Sequence, residues 1–193
     1  MRAFIAIDLS EEIRAKIEEL QKAFETLGLH NALKFVDPKQ AHQTVKFLGE
    51  VPDAGVERVT SALAELRHGP FAIELRGVGF FPEASRERVR TIRVIWVGID
   101  EGAEQLRTLQ EAVELKLYAV GFPLERRFSA HVTLGRVKRP LKSEEIVRIV
   151  KKIAELKDVA VGKMLVEELK LKRSTLTPNG PIYADVYVKR LVE

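Results

Sequence analysis

The chain has 193 residues, 46% of them hydrophobic and 31% charged, which suits a folded protein with a real core and excludes a disordered one. It contains no cysteine, so a thiol nucleophile, a disulfide framework and thiolate metal sites are excluded. The net charge of +4 leans toward a polyanionic partner.

Taken in chain order, an alternating apolar run at residues 4–8 (Phe-Ile-Ala-Ile-Asp) predicts a short strand. Ser10 then stands as N-cap to a helix expected over 11–27, with acids in the first turn and Ile13, Ile17, Leu20 and Phe24 at helical spacing. Gly28 stands where that helix should stop. A strand at 41–49, a helix at about 54–67 and a strand at 71–79 follow, and 82–88 is the clearest loop. The order then repeats. Residues 96–100 (Trp-Val-Gly-Ile-Asp) correspond loosely to 4–8, a helix at 102–119 runs up to Gly121, and a strand at 130–136 precedes a helix at about 143–156. A strand at about 159–171 closes the second copy. Residues 174–181 are polar and turn-rich, long enough to fold over a cleft, and a last strand covers 182–191.

The expected architecture is therefore α+β: a single bilobal domain, built as a pseudo-twofold duplication of a β-α-β-α-β unit. The repeats span about 1–82 and 88–172, with mostly antiparallel sheets lining a central cleft and helices outside. No apolar run approaches the roughly 20 residues that span a bilayer, and the first residues do not read as a signal peptide. The expectation is a cytoplasmic, monomeric protein without a membrane partner. Its many Lys, Arg and Glu and few Met resemble the composition of heat-adapted proteins.

One word is written twice. His42-Gln43-Thr44-Val45 and His131-Val132-Thr133-Leu134 lie 89 positions apart, each in a predicted strand. A strand sends residues i and i+2 to the same face, so each copy offers an imidazole beside a hydroxyl. Two such strands brought together give two histidines and two threonines around one hollow. An imidazole pKa of about 6.5 lets one ring be neutral and another protonated near neutral pH. That is a set of parts for acid–base chemistry at phosphorus which needs no metal and no cofactor. No phosphate-binding P-loop is present. His30 and His68 lie outside the repeated word and are read as surface residues.

With these two words the chain resembles the 2H phosphoesterases, and within them the RNA 2′,3′-cyclic phosphodiesterases first described as 2′-5′ RNA ligases. The likeness runs through Arg2 to Asp8, His42 to Glu50, Gly77 to Pro82, Arg93 to Gly98, His131 to Arg136 and Arg173 to Tyr183. The resemblance implies hydrolysis of RNA 2′,3′-cyclic phosphate ends, tRNA fragments among them, to a 2′-phosphate. It implies that His42 is the proton donor to the leaving 3′ oxygen and His131 the proton acceptor from water. The sequence itself leaves those roles interchangeable. Thr44 and Thr133 are expected to hold the phosphate. Arg136 matches a family arginine that approaches it, but strict alternation from His131 points Arg136 away unless Gly135 marks a bulge. Tyr183, Phe4 and Phe47 are candidates for stacking on substrate, with core packing the stronger expectation for the two phenylalanines. The basic runs 86–93, 126–127 and 138–139 are candidate contacts to an RNA backbone. Gln43 stands where the family has an apolar residue; it should point away from the cleft and need hydrogen-bond partners. The alternatives are a 2′-5′ ligase acting through the same groups, a non-catalytic RNA-binding module, and a metallohydrolase.

Overall fold

A computed structural model describes residues 1–84, 89–125, 127–178 and 180–192. In chain order the elements are β1 (Arg2–Asp8), α1 (Glu11–Glu25), β2 (Leu33–Phe35), β3 (His42–Glu50), α2 (Asp53–Ala64), β4 (Phe71–Phe81) and β5 (Val94–Ile99). They continue with α3 (Ala103–Ala119), β6 (His131–Val137), α4 (Ser143–Glu155), β7 (Ala160–Val166), β8 (Glu168–Thr177) and β9 (Gly180–Arg190). A short 3-10 turn, Pro38–Gln40, leads into β3. The helices begin and end where their end signals stand. Ser10 accepts a hydrogen bond from the Ile13 amide, and Ile13, Ile17, Leu20 and Phe24 form the buried stripe of α1. After α3, Gly121 takes φ +95°, and the Phe122 amide reaches back to the Leu117 carbonyl, closing the last turn.

The strands form one sheet in the order β7-β4-β5-β6-β3-β1-β8-β9, with β2 alongside β6 and every pair antiparallel. Its middle is a narrow joint: β3 and β6 meet through Gln43 and Val132. From that joint the sheet runs β6, β5, β4 to one side and β3, β1, β8 to the other. This is the two-lobed arrangement expected, with one addition. β4 belongs to the first half of the chain but lies beside β5, and β8 belongs to the second half but lies beside β1. Each half lends strands to the other lobe.

That exchange corrects two expectations. The run at 159–171 is not one strand: β7 ends at Val166 on one outer edge of the sheet, and β8 starts at Glu168 beside β1, towards the other. The alternation breaks there, since Val166 and Leu169 are buried three residues apart with Glu167 and Glu168 between them, and that shift of phase marks the change of partner. Residues 174–181 are not a loop. β8 continues to Thr177 and β9 resumes at Gly180, so Pro178 and Gly180 flank a tight hairpin turn, whose Asn179 lies outside the described residues.

The ladders also correct the alignment of the halves. Ala6 pairs with Thr44 as Trp96 pairs with Thr133, and Asp8 pairs with His42 as Gly98 pairs with His131. The counterpart of Asp8 is therefore Gly98, not Asp100. A slip of two residues keeps every side chain on its face, which is why apolar patterning alone cannot detect it. His30 is exposed as expected. His68 is half-buried against Phe71, with its backbone amide bonded to Val192. Its sequence neighbours gave no sign of the C-terminal strand end that covers it.

Candidate active site

Gln43 and Val132, paired across the joint, are fully buried and face the helices. Their neighbours therefore face the other way. Continuing that register by one residue each way sets His42 opposite Thr133 and His131 opposite Thr44. The two histidines then form one diagonal of a square and the two threonines the other, with diagonal backbone separations of roughly 7–8 Å. All four side chains are half-buried.

Both imidazoles are held in the same way. His42 Nδ1 lies 2.8 Å from the Gln40 carbonyl oxygen, and His131 Nδ1 lies 2.9 Å from that of Ser129. A carbonyl only accepts, so Nδ1 carries the hydrogen in each ring and Nε2 is left as the proton-exchanging atom. Rings brace both. His42 packs against Phe4 and edge-on to Tyr183, with centroids 4.9 and 5.2 Å away. Phe81 meets His131 edge-on at 5.0 Å and also packs on Trp96, whose indole occupies the space a Cβ at Gly79 would need. The braces come from exchanged strands: Tyr183 on β9 serves the first-half histidine, and Phe81 on β4 the second.

Burial pushes the pKa of both histidines below the ordinary value. The Nδ1 bonds oppose that shift at both, and the Arg136 guanidinium reinforces it at both. Arg136 reaches this face through a bulge. Trp96 pairs with Thr133 and Ile95 with Gly135, which leaves Leu134 as the extra residue in β6. Val94, two residues from Trp96, pairs with Arg136, so Arg136 shares the face of Thr133. The bulge lies at Leu134, one residue before the glycine that suggested it. The same irregularity occurs in β3, where Val45 is the extra residue between Thr44 and Lys46.

The other candidates divide. Tyr183 is half-buried, and burial pushes its phenol pKa up. Phe4 is 4% exposed and sits beneath His42, Phe47 and Tyr183, so it supports the site and is not open to a base. Phe47 corrects the expectation of core packing: the bulge turns it outward and leaves it 61% exposed. Gln43 donates to the Thr44 carbonyl, but its own Oε1 is buried without a partner among the described residues. Of the basic runs, Arg139 is committed elsewhere, in a two-pronged bond to Glu145 that holds that carboxyl at about 2. Arg90, Arg93, Arg127 and Lys138 are exposed, while Arg86, Arg88 and Arg126 lie outside the described residues. Among the described residues no three His, Asp or Glu side chains gather as a metal-ligand group.

A family model described as LigT-like phosphoesterase matches the chain twice, over residues 7–91 and 97–183. The chain belongs to the LigT-like phosphoesterase family. Each match of this LigT-like chain carries one His-x-Thr word. A protein of Methanothermobacter thermautotrophicus named RNA 2′,3′-cyclic phosphodiesterase is 38% identical over 193 residues, covering 99% of each chain. One of the same name from Archaeoglobus fulgidus is 39% identical over 188 residues, covering 97% of this chain and 99% of its own. A crystal structure from Thermus thermophilus superposes with a TM-score of 0.78 at 30% identity, covering 99% of this chain and 98% of the other.

Sequence reasoning missed four side chains beside His42: Asp8 and Lys172, with Lys170 and Asp185 completing an ion cluster. Their signal was present. Lys170 and Lys172 alternate with apolar residues at the end of one predicted strand and just beyond it, Tyr183 and Asp185 share a face of another, and charges so spaced call for partners.

Proposed function

We propose that this protein hydrolyses RNA 2′,3′-cyclic phosphate ends to 2′-phosphates through its two histidines and without a metal. The observation that carries the reading is the joint at Gln43 and Val132, whose register puts two imidazoles and two hydroxyls around one point. The names of the relatives support the substrate class. Water attacks phosphorus and gives its proton to Nε2 of His131. The bond from phosphorus to the 3′ oxygen breaks, and that oxygen takes the proton from Nε2 of His42. The products are a 2′-phosphomonoester and a free 3′-hydroxyl, and proton exchange with solvent resets both rings. The Thr44 and Thr133 hydroxyls and Arg136 hold the non-bridging oxygens, where negative charge persists through the reaction. Asp8 beside His42 favours the imidazolium there and Lys172 opposes it more strongly, so the choice of His42 as donor and His131 as acceptor rests on the family resemblance.

The alternative of ligation gains no support from the site or from the relatives' names. The test is a short RNA ending in a 2′,3′-cyclic phosphate, assayed with EDTA present. His42→Ala and His131→Ala should each lower turnover by about 10²-fold or more while product binding persists. A 3′-phosphate product, or full turnover by either variant, overturns the reading.

A further inference from the structure

The cluster beside His42 has a composition that neither the fold nor the chemistry at phosphorus requires. Lys172, on β8, bonds Asp8 of β1 at 2.9 Å and Asp185 of β9 at 2.6 Å. Lys170, two residues earlier, bonds the same two carboxylates at 2.9 and 3.1 Å. Two cations and two anions thus close a ring across three strands, and the Lys172 side chain is only 10% exposed. Asp8 is the strand partner of His42. The equivalent position in the other lobe is Gly98, so His131 has no matching carboxylate at that place. A sequence duplication would supply two equal histidines. At this position the lobes differ in charge, one having an aspartate where the other has a glycine.

We propose that Asp8, Lys170, Lys172 and Asp185 form a charge-balanced positioning group that governs the proton on His42 and leaves His131 alone. The proposal rests on the reading of His42 as one of the two acid–base groups. The charged and titratable groups around His42 are Asp8 from β1, Lys170 and Lys172 from β8, Tyr183 and Asp185 from β9, and Arg136 and the diagonal His131 from β6. Asp37, on the turn before β3, is engaged with the Lys39 amide and Gln40. Among these, Asp8 favours the imidazolium, while Lys172 and Arg136 oppose it. With the ring intact its two positive and two negative formal charges sum to zero. Removing one member leaves a net charge beside His42, and its sign is set by which member is lost. The ring belongs to strands from both halves of the chain, so the hairpin of β8 and β9 delivers the control.

The experiment is an NMR titration of the full-length protein with labelled histidine, His42 being assigned from the spectrum of His42→Asn. Asp8→Asn should move the His42 midpoint down and Lys172→Met should move it up, each by about one pH unit. The double variant should return it close to the starting value, and His131 should stay in place throughout. If Asp8→Asn does not fold, Asp185→Asn carries the same sign from the more exposed side of the ring. A merely structural ring would change thermal stability without these opposed shifts. Shifts of the same sign, no shift, or an equal shift at His131 would overturn the proposal. The titration needs no turnover, so its failure stays separate from failure of the hydrolysis reading.

Discussion

At the scale of single residues, the site is set by what surrounds two rings. Each histidine has one nitrogen fixed by a carbonyl and the other free for proton transfer, and burial holds both pKa values below the ordinary one. The consequence for rate can be worked out. Under the proposed mechanism, free enzyme is productive only with one ring protonated and the other neutral. That state is most populated between the two pKa values, and both are depressed. The kcat/KM optimum should therefore fall on the acid side of about 6.5, the reference histidine value. Bound phosphate adds a negative charge beside both rings and favours their protonated forms. The kcat profile, which reports the complex, should then lie at higher pH than that of kcat/KM. Initial rates over a pH series would check this. A kcat/KM optimum above neutrality would mean that negative charge beside the rings outweighs their burial.

At the scale of elements, most of the plan was written in the chain. The helices announced themselves through apolar spacing, caps and stopping glycines, and the two histidine strands through their repeated word. What stayed hidden is what periodicity cannot encode. The bulges at Val45 and Leu134 each insert one residue, and so turn Phe47 and Arg136 toward the histidine face. The β3 bulge also sends Lys46 inward, where at 3% exposure it bonds Glu114 of α3 at 2.6 Å and the Pro123 carbonyl at 2.9 Å. Glu114 in turn accepts from Gln110 and from the Glu125 amide, which pins the segment after α3. A lysine in a strand pattern reads as a surface residue, and only the fold reveals its partner. Removing one member of a buried pair strands the other charge. Lys46→Met should therefore destabilise the protein by about 3–5 kcal/mol. The double variant Lys46→Met with Glu114→Met should recover more than half of that loss, because no unpaired charge is left. Urea unfolding of the three proteins decides the matter: a double variant no better than the single one would show that Glu114 serves the segment 123–125 more than it serves Lys46.

At the scale of the whole molecule, the duplicated sequence does not fold as two separate lobes. The sheet on the His42 side needs β8 and β9, and that on the His131 side needs β4. Packing on the helix side is shared as well. Gln21 of α1, in the first half, donates to the Leu134 carbonyl on β6 and to the Val36 carbonyl. Each half on its own would leave a ladder edge of β1 or β5 unpaired and strip one histidine of its bracing ring. Edges of that kind are unstable or associate with other chains. The prediction is made for two fragments, residues 1–84 and 89–193, produced separately. Neither should show a cooperative thermal transition by circular dichroism. Mixed in equal amounts they should pair, regain one transition and recover cyclic phosphodiesterase turnover, since β4 then finds β5 and β8 finds β1. A first fragment that melts cooperatively alone would show that its own strands satisfy β1 without β8. The exchange would then be a feature of assembly order and not a condition for the fold. The same outcome would weaken the link between hairpin and histidine, because His42 would keep a folded setting without Tyr183, Lys172 or Asp185 beside it.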